Sequence, residues 1–207
     1  ASEFTHNTVT NVRGDPQSVG IGGSPVEIHG NTISYTTLGI VLDSGDDALI
    51  DGNSVTNSNA GIISMNSCVG AGCTTGEQIT NNSISDCTGT TGWGIVVSAN
   101  HDDVNVEGNQ ILRCKVGFTA SGAQTTSPIT FVDNTVTAPA SPAGSFGAYL
   151  STNQIIAGTG NVYANFTDNS ISGFATGVYL YDPNHLIIQT AFLHNQLTNN
   201  TMQVNVG

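Results

Sequence analysis

The residues best suited to chemistry are carboxylates in two short acidic segments. One segment contains Asp43, Asp46 and Asp47, and the other contains Asp102 and Asp103, preceded by a histidine. Two carboxyl groups can hydrolyse a glycosidic bond, because one donates a proton while the other acts as a base. The same oxygen atoms suit Ca²⁺, and acidic loops are often simply solvated. The residues leave these alternatives open. We expect no cofactor, with Ca²⁺ as the alternative, and no transition-metal site.

Aromatic and basic side chains provide candidates for substrate binding. Tyr149, Tyr179 and Tyr181 have amphipathic aromatic faces that can stack on sugar rings. Arg113 and Lys115 could neutralise the carboxylate of an acidic sugar, which lyase or epimerase chemistry on uronic acids requires. We therefore predict these five residues as substrate-binding.

A repeated pattern along the whole chain must position these residues. An asparagine recurs in steps of 22 to 35 residues, with one apolar residue three positions before it and another two positions after it. Self-similarity at a period of about 20–50 residues indicates a solenoid, a propeller or an array. The recurring asparagines are Asn7, Asn31, Asn53, Asn82, Asn109, Asn134, Asn169 and Asn195.

The local pattern decides which solenoid this is. Apolar and polar residues alternate around each asparagine, which indicates strands. The chain is rich in Thr, Val, Ile, Asn and Gly, which disfavours helical repeats. We therefore predict an all-β parallel β-helix of about eight coils, with the asparagines bonding to one another in an internal ladder. Asparagine also tolerates the left-handed conformation of tight turns, so we expect the ladder residues at such turns.

This pattern resembles the right-handed parallel β-helix repeats of the pectate-lyase-like superfamily. That superfamily includes polysaccharide lyases, epimerases, hydrolases, phage tailspikes and adhesins, so the resemblance implies a right-handed fold and leaves the activity open. The segment from Tyr179 to His185 is similar to the Tyr-x-x-Asp-Pro-His motif of mannuronan C5-epimerases, with the histidine displaced by one residue. The resemblance implies catalytic roles for Tyr179, Asp182 and His185. Asp102 and Asp103 are further catalytic candidates, whose loop we expect about two coils, or roughly 10 Å, from the loop of Asp43.

The four cysteines occupy positions that favour two disulfide bonds. Cys87 and Cys114 each follow a ladder asparagine by five residues, which places them on adjacent coils within disulfide reach. Cys68 and Cys73 bracket a four-residue loop that is short enough to close. We predict the pairs Cys68–Cys73 and Cys87–Cys114, with free thiols as the alternative. Two disulfides favour secretion or display at the cell surface.

A second strand signal is a glycine followed by three residues, of which the first and the third are apolar and the second can be of any type. We expect the first and third residues after the glycine to point inward and the second to point outward. The outward row is then unusually apolar, so it is either a contact surface or a surface covered by loops. Its members are Val41, Ile63, Val96, Thr119, Tyr149 and Tyr179.

Composition excludes several classes of partner. The net charge is −12 and Lys plus Arg total three, so nucleic acid and anionic membranes are disfavoured. No apolar run is long enough to span a membrane. Residues 1–207 form one β-helix block, and the absence of evident caps predicts a fragment of a longer solenoid or end-to-end self-association.

The sequence therefore supports two hypotheses about function. The first is a secreted or surface-exposed rod with a structural, adhesive or glycan-binding role, which assembles through its ends or through the outward apolar row. The alternative is a polysaccharide-active enzyme, a lyase, C5-epimerase or glycoside hydrolase, that uses loop carboxylates. The expected partner in both cases is a polysaccharide or a cell-surface glycan.

Overall fold

The computed structural model describes residues 2–23, 26–43, 47–66, 76–99, 103–121, 128–153, 160–186 and 188–207. Within these ranges every strand pairs in parallel with its neighbours, and each of three sheets contains eight strands. Successive strands visit the first, second and third sheet in turn, so that three strands make one coil. The predicted all-β parallel β-helix of about eight coils is confirmed.

The strands are short, as expected for a solenoid that turns three times per coil. The first sheet contains β1 (Ser2–Thr5), β4 (Val26–His29), β7 (Leu49–Asp51), β10 (Gln78–Thr80), β13 (Asn105–Glu107), β16 (Ile129–Val132), β19 (Val162–Thr167) and β22 (Ile188–Leu193). The second contains β2 (Thr8–Thr10), β5 (Thr32–Ser34), β8 (Ser54–Thr56), β11 (Ser83–Ser85), β14 (Gln110–Leu112), β17 (Thr135–Thr137), β20 (Ser170–Ser172) and β23 (Gln196–Thr198). The third contains β3 (Val19–Gly23), β6 (Leu38–Asp43), β9 (Ala60–Asn66), β12 (Trp93–Ala99), β15 (Val116–Ser121), β18 (Phe146–Ser151), β21 (Thr176–Tyr181) and β24 (Met202–Val206).

The apolar residues that flank each asparagine form two continuous rows inside the solenoid. In the first sheet Ile28 pairs with Ile50 and Ile50 with Ile79, and in the second Ile33 pairs with Val55. All of these are buried, and stacking like on like fills the interior without gaps. Toward the C-terminal end the first row becomes aromatic, with Phe131 and Phe166 stacked at 4.6 Å between ring centroids.

The predicted asparagine ladder is present at the corner between the first and second sheets. At Asn82 the Oδ1 atom accepts hydrogen bonds from the backbone N and Nδ2 of Asn53, at 2.9 and 3.0 Å. Its Nδ2 group donates to Oδ1 of Asn109 at 3.0 Å and to the carbonyl of Ile50 at 2.9 Å. Each interior amide thus satisfies buried backbone groups of two coils, which is what buried polar groups require.

The expectation that the ladder asparagines adopt the left-handed conformation is wrong. In every coil it is the residue immediately before the ladder asparagine that has a positive φ, between 52° and 66°. The asparagine itself must keep its backbone N–H aligned with the ladder, so the preceding residue makes the turn. These turn residues are His6, Gly30, Gly52, Asn81, Gly108, Asp133, Asp168 and His194.

A glycine in seven of the eight third-sheet strands permits close approach between coils, and Gln203 holds the equivalent position in β24. At Gly61 an added Cβ would lie 2.5 Å from Cγ2 of Ile84 and 2.7 Å from the carbonyl oxygen of Gly94. Glycine is therefore required at this corner because a side chain would not fit. Its φ is negative, so the backbone conformation alone would allow other residues.

A disulfide bond joins Cys87 to Cys114, whose Cα atoms are 4.6 Å apart on adjacent coils. This confirms the predicted pairing of these two residues. The predicted pair Cys68–Cys73 lies outside the described residues. In the described part of the chain, no helix has the length and apolar character needed to cross a lipid bilayer.

Candidate functional site

The third sheet is apolar on both faces. Ile40 and Leu42 point into the main core of the solenoid, whereas Val41 between them belongs to a separate cluster on the outer face. The predicted alternation after each glycine is therefore correct. The outer cluster also contains Ala60, Ile63 and Val96.

The outward row is in register along the rod, but it is not uniformly exposed. Val41, Ile63 and Val96 pair in sequence and are only 8, 4 and 0 % exposed. Tyr149 and Tyr179 continue the row and are half-buried. In the first half of the row the side chains are thus largely shielded from solvent. The open part of this face is at the tyrosines.

An apolar groove runs along the part of the outer face that carries Val41, Ile63 and Val96. Its volume is about 440 Å³. Met65 and Trp93 are half-buried at its sides, and Gln17 provides a polar group. We call this the apolar groove; it is lined by Gln17, Val19, Leu38, Val41, Ile63, Met65, Trp93 and Val96.

An aromatic groove continues from the apolar groove at Trp93. This second space has a volume of about 300 Å³ and is lined by Thr91, Trp93, Val116, Phe146 and Tyr149. Phe146 stacks on Tyr179 with 5.1 Å between ring centroids, and Tyr179 stacks on Tyr181 at 5.9 Å. Tyr149 contacts Tyr179 at 5.6 Å and Tyr181 at 6.3 Å. The aromatic groove is defined as the surface formed by Thr91, Trp93, Val116, Phe146, Tyr149, Tyr179 and Tyr181.

Three residues predicted to bind substrate therefore lie together. Tyr149, Tyr179 and Tyr181 come from the adjacent strands β18 and β21, so strand pairing holds their rings in contact. Burial raises the pKa of Tyr149, and a hydrogen bond with Ser151 opposes the shift. The Tyr149 phenol is therefore neutral at neutral pH and can donate as well as accept a hydrogen bond.

Asp182 adjoins the aromatic groove but is engaged in shaping its own turn. Its Oδ1 atom accepts hydrogen bonds from the backbone N of Leu186 at 2.9 Å and from Oγ1 of Thr152 at 2.8 Å. The pKa of Asp182 is lowered, first by the Leu186 N–H and, after a smaller opposing desolvation, by Thr152. An ionised carboxylate cannot donate a proton, so Asp182 is unsuited to general acid catalysis. His185 is exposed within the same turn, at a φ of 54°.

Asp103, another predicted catalytic carboxylate, is not brought to this turn. Asp103 is exposed and follows β12, whereas Asp182 follows β21, which lies three strands farther along the third sheet. Three strand spacings amount to about 14 Å. Asp102 lies outside the described residues. Asp103 and Asp182 are therefore too far apart to act on one glycosidic bond.

The two predicted cationic binding residues lie at the corner between the second and third sheets. Arg113 donates from Nε and Nη2 to the two carboxylate oxygens of Asp86, at 2.5 and 2.7 Å. This pairing lowers the pKa of Asp86 and raises that of Arg113. Lys115 donates to the carbonyl of Thr90 at 3.0 Å, one residue before the groove residue Thr91. Arg113 is therefore neutralised by a partner, and Lys115 lies at the edge of the aromatic groove.

Metal ligands are not grouped in the described part of the structure. Among the residues that it describes, no three His, Cys, Asp or Glu side chains could together hold a metal ion. Part of each acidic segment lies outside the described ranges, so the expectation about Ca²⁺ remains a prediction.

Trp93 and Phe146 are groove residues that the sequence analysis did not single out. Each immediately precedes a glycine of the repeat, Gly94 or Gly147, and so occupies an outward row beside the predicted one. Reading the residue before each glycine, as well as the second residue after it, could have identified both.

Comparison with known protein families assigns the fold. The family described as "Right handed beta helix region" matches residues 17–161, and the chain belongs to this family. This membership agrees with adhesive or polysaccharide-related roles and does not select between them. The comparison with curated proteins gave no match, and neither did the comparison with solved structures.

Proposed function

We propose that this protein is a secreted or cell-surface β-helix that binds glycans along the outer face of its third sheet. The observation that carries the proposal is the set of contacting rings of Phe146, Tyr149, Tyr179 and Tyr181 on two adjacent coils. The disulfide bond between Cys87 and Cys114 supports an oxidising compartment.

The ring arrangement suits sugars for a physical reason. Aromatic side chains offer a large apolar face, and the tyrosines add a hydroxyl at the edge. A pyranose ring is similarly divided between C–H faces and hydroxyl edges. Half-buried tyrosines that pack on one another lose little conformational freedom on binding, because their rings are already held.

Charge favours neutral glycans over acidic ones. The protein has a net charge of −12, and none of the described residues lining the two grooves is charged. Arg113 is already paired with Asp86, which leaves Lys115 as the basic residue at the groove edge. A polyuronate would therefore be repelled by the protein as a whole.

Binding is favoured over catalysis by the state of the predicted catalytic groups. Asp182 is ionised and held by Thr152 and Leu186, and Asp103 lies about three strand spacings away. What lies together at the site is aromatic and hydroxyl surface, which binds sugars without reacting with them.

The test is binding of neutral and acidic oligosaccharides to the intact chain, measured on a glycan array and by calorimetry. We expect a neutral glycan to bind, and Tyr179→Ala to weaken it about tenfold, since one aromatic contact is worth about 1.4 kcal/mol. Tyr35→Ala is the matched control, because Tyr35 is exposed outside the grooves. Absence of binding across the array, or equal affinity of Tyr179→Ala and wild type, would overturn the proposal.

A further inference from the structure

The apolar groove and the aromatic groove are neighbouring spaces on the third sheet that share one described lining residue. Trp93 lines both, with the apolar groove on β3, β6, β9 and β12 and the aromatic groove on β12, β15 and β18. A ligand bound on the tyrosines can therefore extend along the rod, past Trp93, into the second space. Trp93 is also the single tryptophan of the chain.

The lining of the apolar groove is poorly suited to sugar. Among the described residues that line it, Gln17 is the polar one, and Val19, Leu38 and Ile63 are typical of the rest. A sugar placed there would bury hydroxyl groups with few hydrogen-bond partners, which is unfavourable. A hydrocarbon group would lose nothing on leaving water and would gain apolar contact.

The shape of the apolar groove favours a linear hydrocarbon. Its lining comes from four adjacent strands, which span three strand spacings, or about 14 Å along the rod. Among the described residues that line the groove none is charged, so none of them would recognise an anionic lipid head group.

We propose that the apolar groove binds an uncharged linear acyl or alkyl chain attached to the same glycan that stacks on the aromatic groove. The ligand is therefore an amphipathic glycan, with its sugar on Tyr149 and Tyr179 and its chain beside Leu38, Ile63 and Met65. This inference rests on the proposed glycan-binding function.

The test uses methyl, butyl, hexyl and octyl β-D-glucosides and the matching galactosides, below their micelle concentrations. Binding is followed by the fluorescence of Trp93, which reports directly on the junction of the two grooves. We expect each added methylene to tighten binding about fourfold until the groove is filled, as burial of a CH₂ group predicts. The emission of Trp93 is expected to shift to shorter wavelength as the chain excludes water.

The two methionines of the chain provide a matched pair of variants. Met65 lines the apolar groove, whereas Met202 is 46 % exposed in the last strand of the same sheet. Met65→Gln should lower the affinity for octyl glycosides at least fivefold and leave binding of neutral oligosaccharides unchanged. Met202→Gln should leave both unchanged.

Several outcomes would overturn the inference, and they separate it from the proposed function. Oligosaccharide binding without any dependence on chain length would remove the acyl-chain site and keep the glycan-binding function. Absence of all sugar binding would remove both. Octanol binding as tightly as octyl glucoside would show that the grooves do not share one ligand. A dimer in light scattering that Met65→Gln abolishes would assign the groove to a second copy of the chain.

Discussion

The hydroxyl group of Ser64 donates a hydrogen bond of 2.7 Å to Oε2 of Glu77 inside the solenoid. Glu77 is 1 % exposed, and it occupies an inward position between Ala48 and Val104 of the adjacent coils. Burial raises the pKa of Glu77 from 4.5 to about 7, and the hydrogen bond from Ser64 opposes the shift. An ionisable group in the interior links folding to pH.

We expect the free energy of unfolding to fall by about 3 kcal/mol as the pH rises from about 4.5 to about 7. The folded-state pKa of Glu77 is the higher one, so its contribution is complete below the unfolded-state pKa and is lost as pH rises through the folded-state pKa. Urea unfolding of Glu77→Gln across this range should lack the slope. Glu27→Gln, at an exposed position of β4, should retain it; a slope that survives in Glu77→Gln would assign it to other groups.

The ladder asparagines are expected to differ in importance according to their position. Asn82→Ala removes the acceptor for Asn53 and the donor to Ile50, and leaves buried backbone groups without partners. We expect a loss of about 3 kcal/mol or more, because each unsatisfied buried group costs about 1–3 kcal/mol. Asn7 is exposed and only donates to Asn31, so Asn7→Ala should cost about 1 kcal/mol. Equal losses in urea unfolding would contradict the ladder as the source of stability.

Two glycines allow backbone strain to be separated from steric crowding. Gly52 has a φ of 62° and nothing within 4 Å of an added Cβ, so Gly52→Ala should cost only about 1 kcal/mol of conformational strain. Gly52→Asn should cost less, because Asn81 occupies the equivalent turn of the next coil. At Gly39 an added Cβ would clash with the carbonyl of Gly61 and lie 2.5 Å from Cγ1 of Val55.

Gly39→Ala should therefore be the more damaging change, with a loss above about 2 kcal/mol. Thermal and urea unfolding of the three variants measure the order directly. If Gly39→Ala proved as mild as Gly52→Asn, close packing of the coils at this corner would not be required.

The disulfide bond between Cys87 and Cys114 is expected to stabilise the middle of the rod. It closes a loop of 27 residues between two coils, for which the chain-entropy relation gives about 3.5 kcal/mol. The double variant Cys87→Ala/Cys114→Ala isolates this bond from the other two cysteines. Its urea midpoint should fall, and its denaturant dependence should rise, because the unfolded chain without the crosslink is less compact. An unchanged midpoint would show that coil stacking alone orders both residues.

The repeat could be predicted from sequence because its signals are local. An apolar residue three positions before each asparagine and another two positions after it already define two inward rows, such as Ile50 and Val55 around Asn53. The left-handed turn was expected one residue too late, because the residue before the asparagine, such as Gly52, makes the turn. Glu77 could have been recognised by the same register, since Ala48 and Val104 hold its position in adjacent coils.

The site was harder to predict because it depends on contacts between strands. The tyrosine at position 149 was placed on the correct row, but its neighbours Trp93 and Phe146 belong to a row that the repeat pattern did not include. Asp182 was selected from a short motif, and the hydrogen bonds that it accepts from Thr152 and Leu186 could not be read from that motif. Arg113 was predicted to be available for a substrate, and its hydrogen bonds to Asp86 could not be read from sequence separation.

The final prediction concerns whether Asp182 acts in chemistry or in structure. Asp182→Asn keeps an oxygen that can accept from Thr152 and Leu186, whereas Asp182→Ala removes it. We therefore expect the Leu186 amide to exchange hydrogen faster in Asp182→Ala and at nearly the wild-type rate in Asp182→Asn, since only the alanine variant lacks the acceptor oxygen. Mass spectrometry of neutral and acidic polysaccharides treated with wild type and both variants should show no shortened or unsaturated products. Products formed by wild type and lost in Asp182→Asn, with unchanged exchange at Leu186, would make Asp182 catalytic and replace glycan binding with turnover as the function of this face.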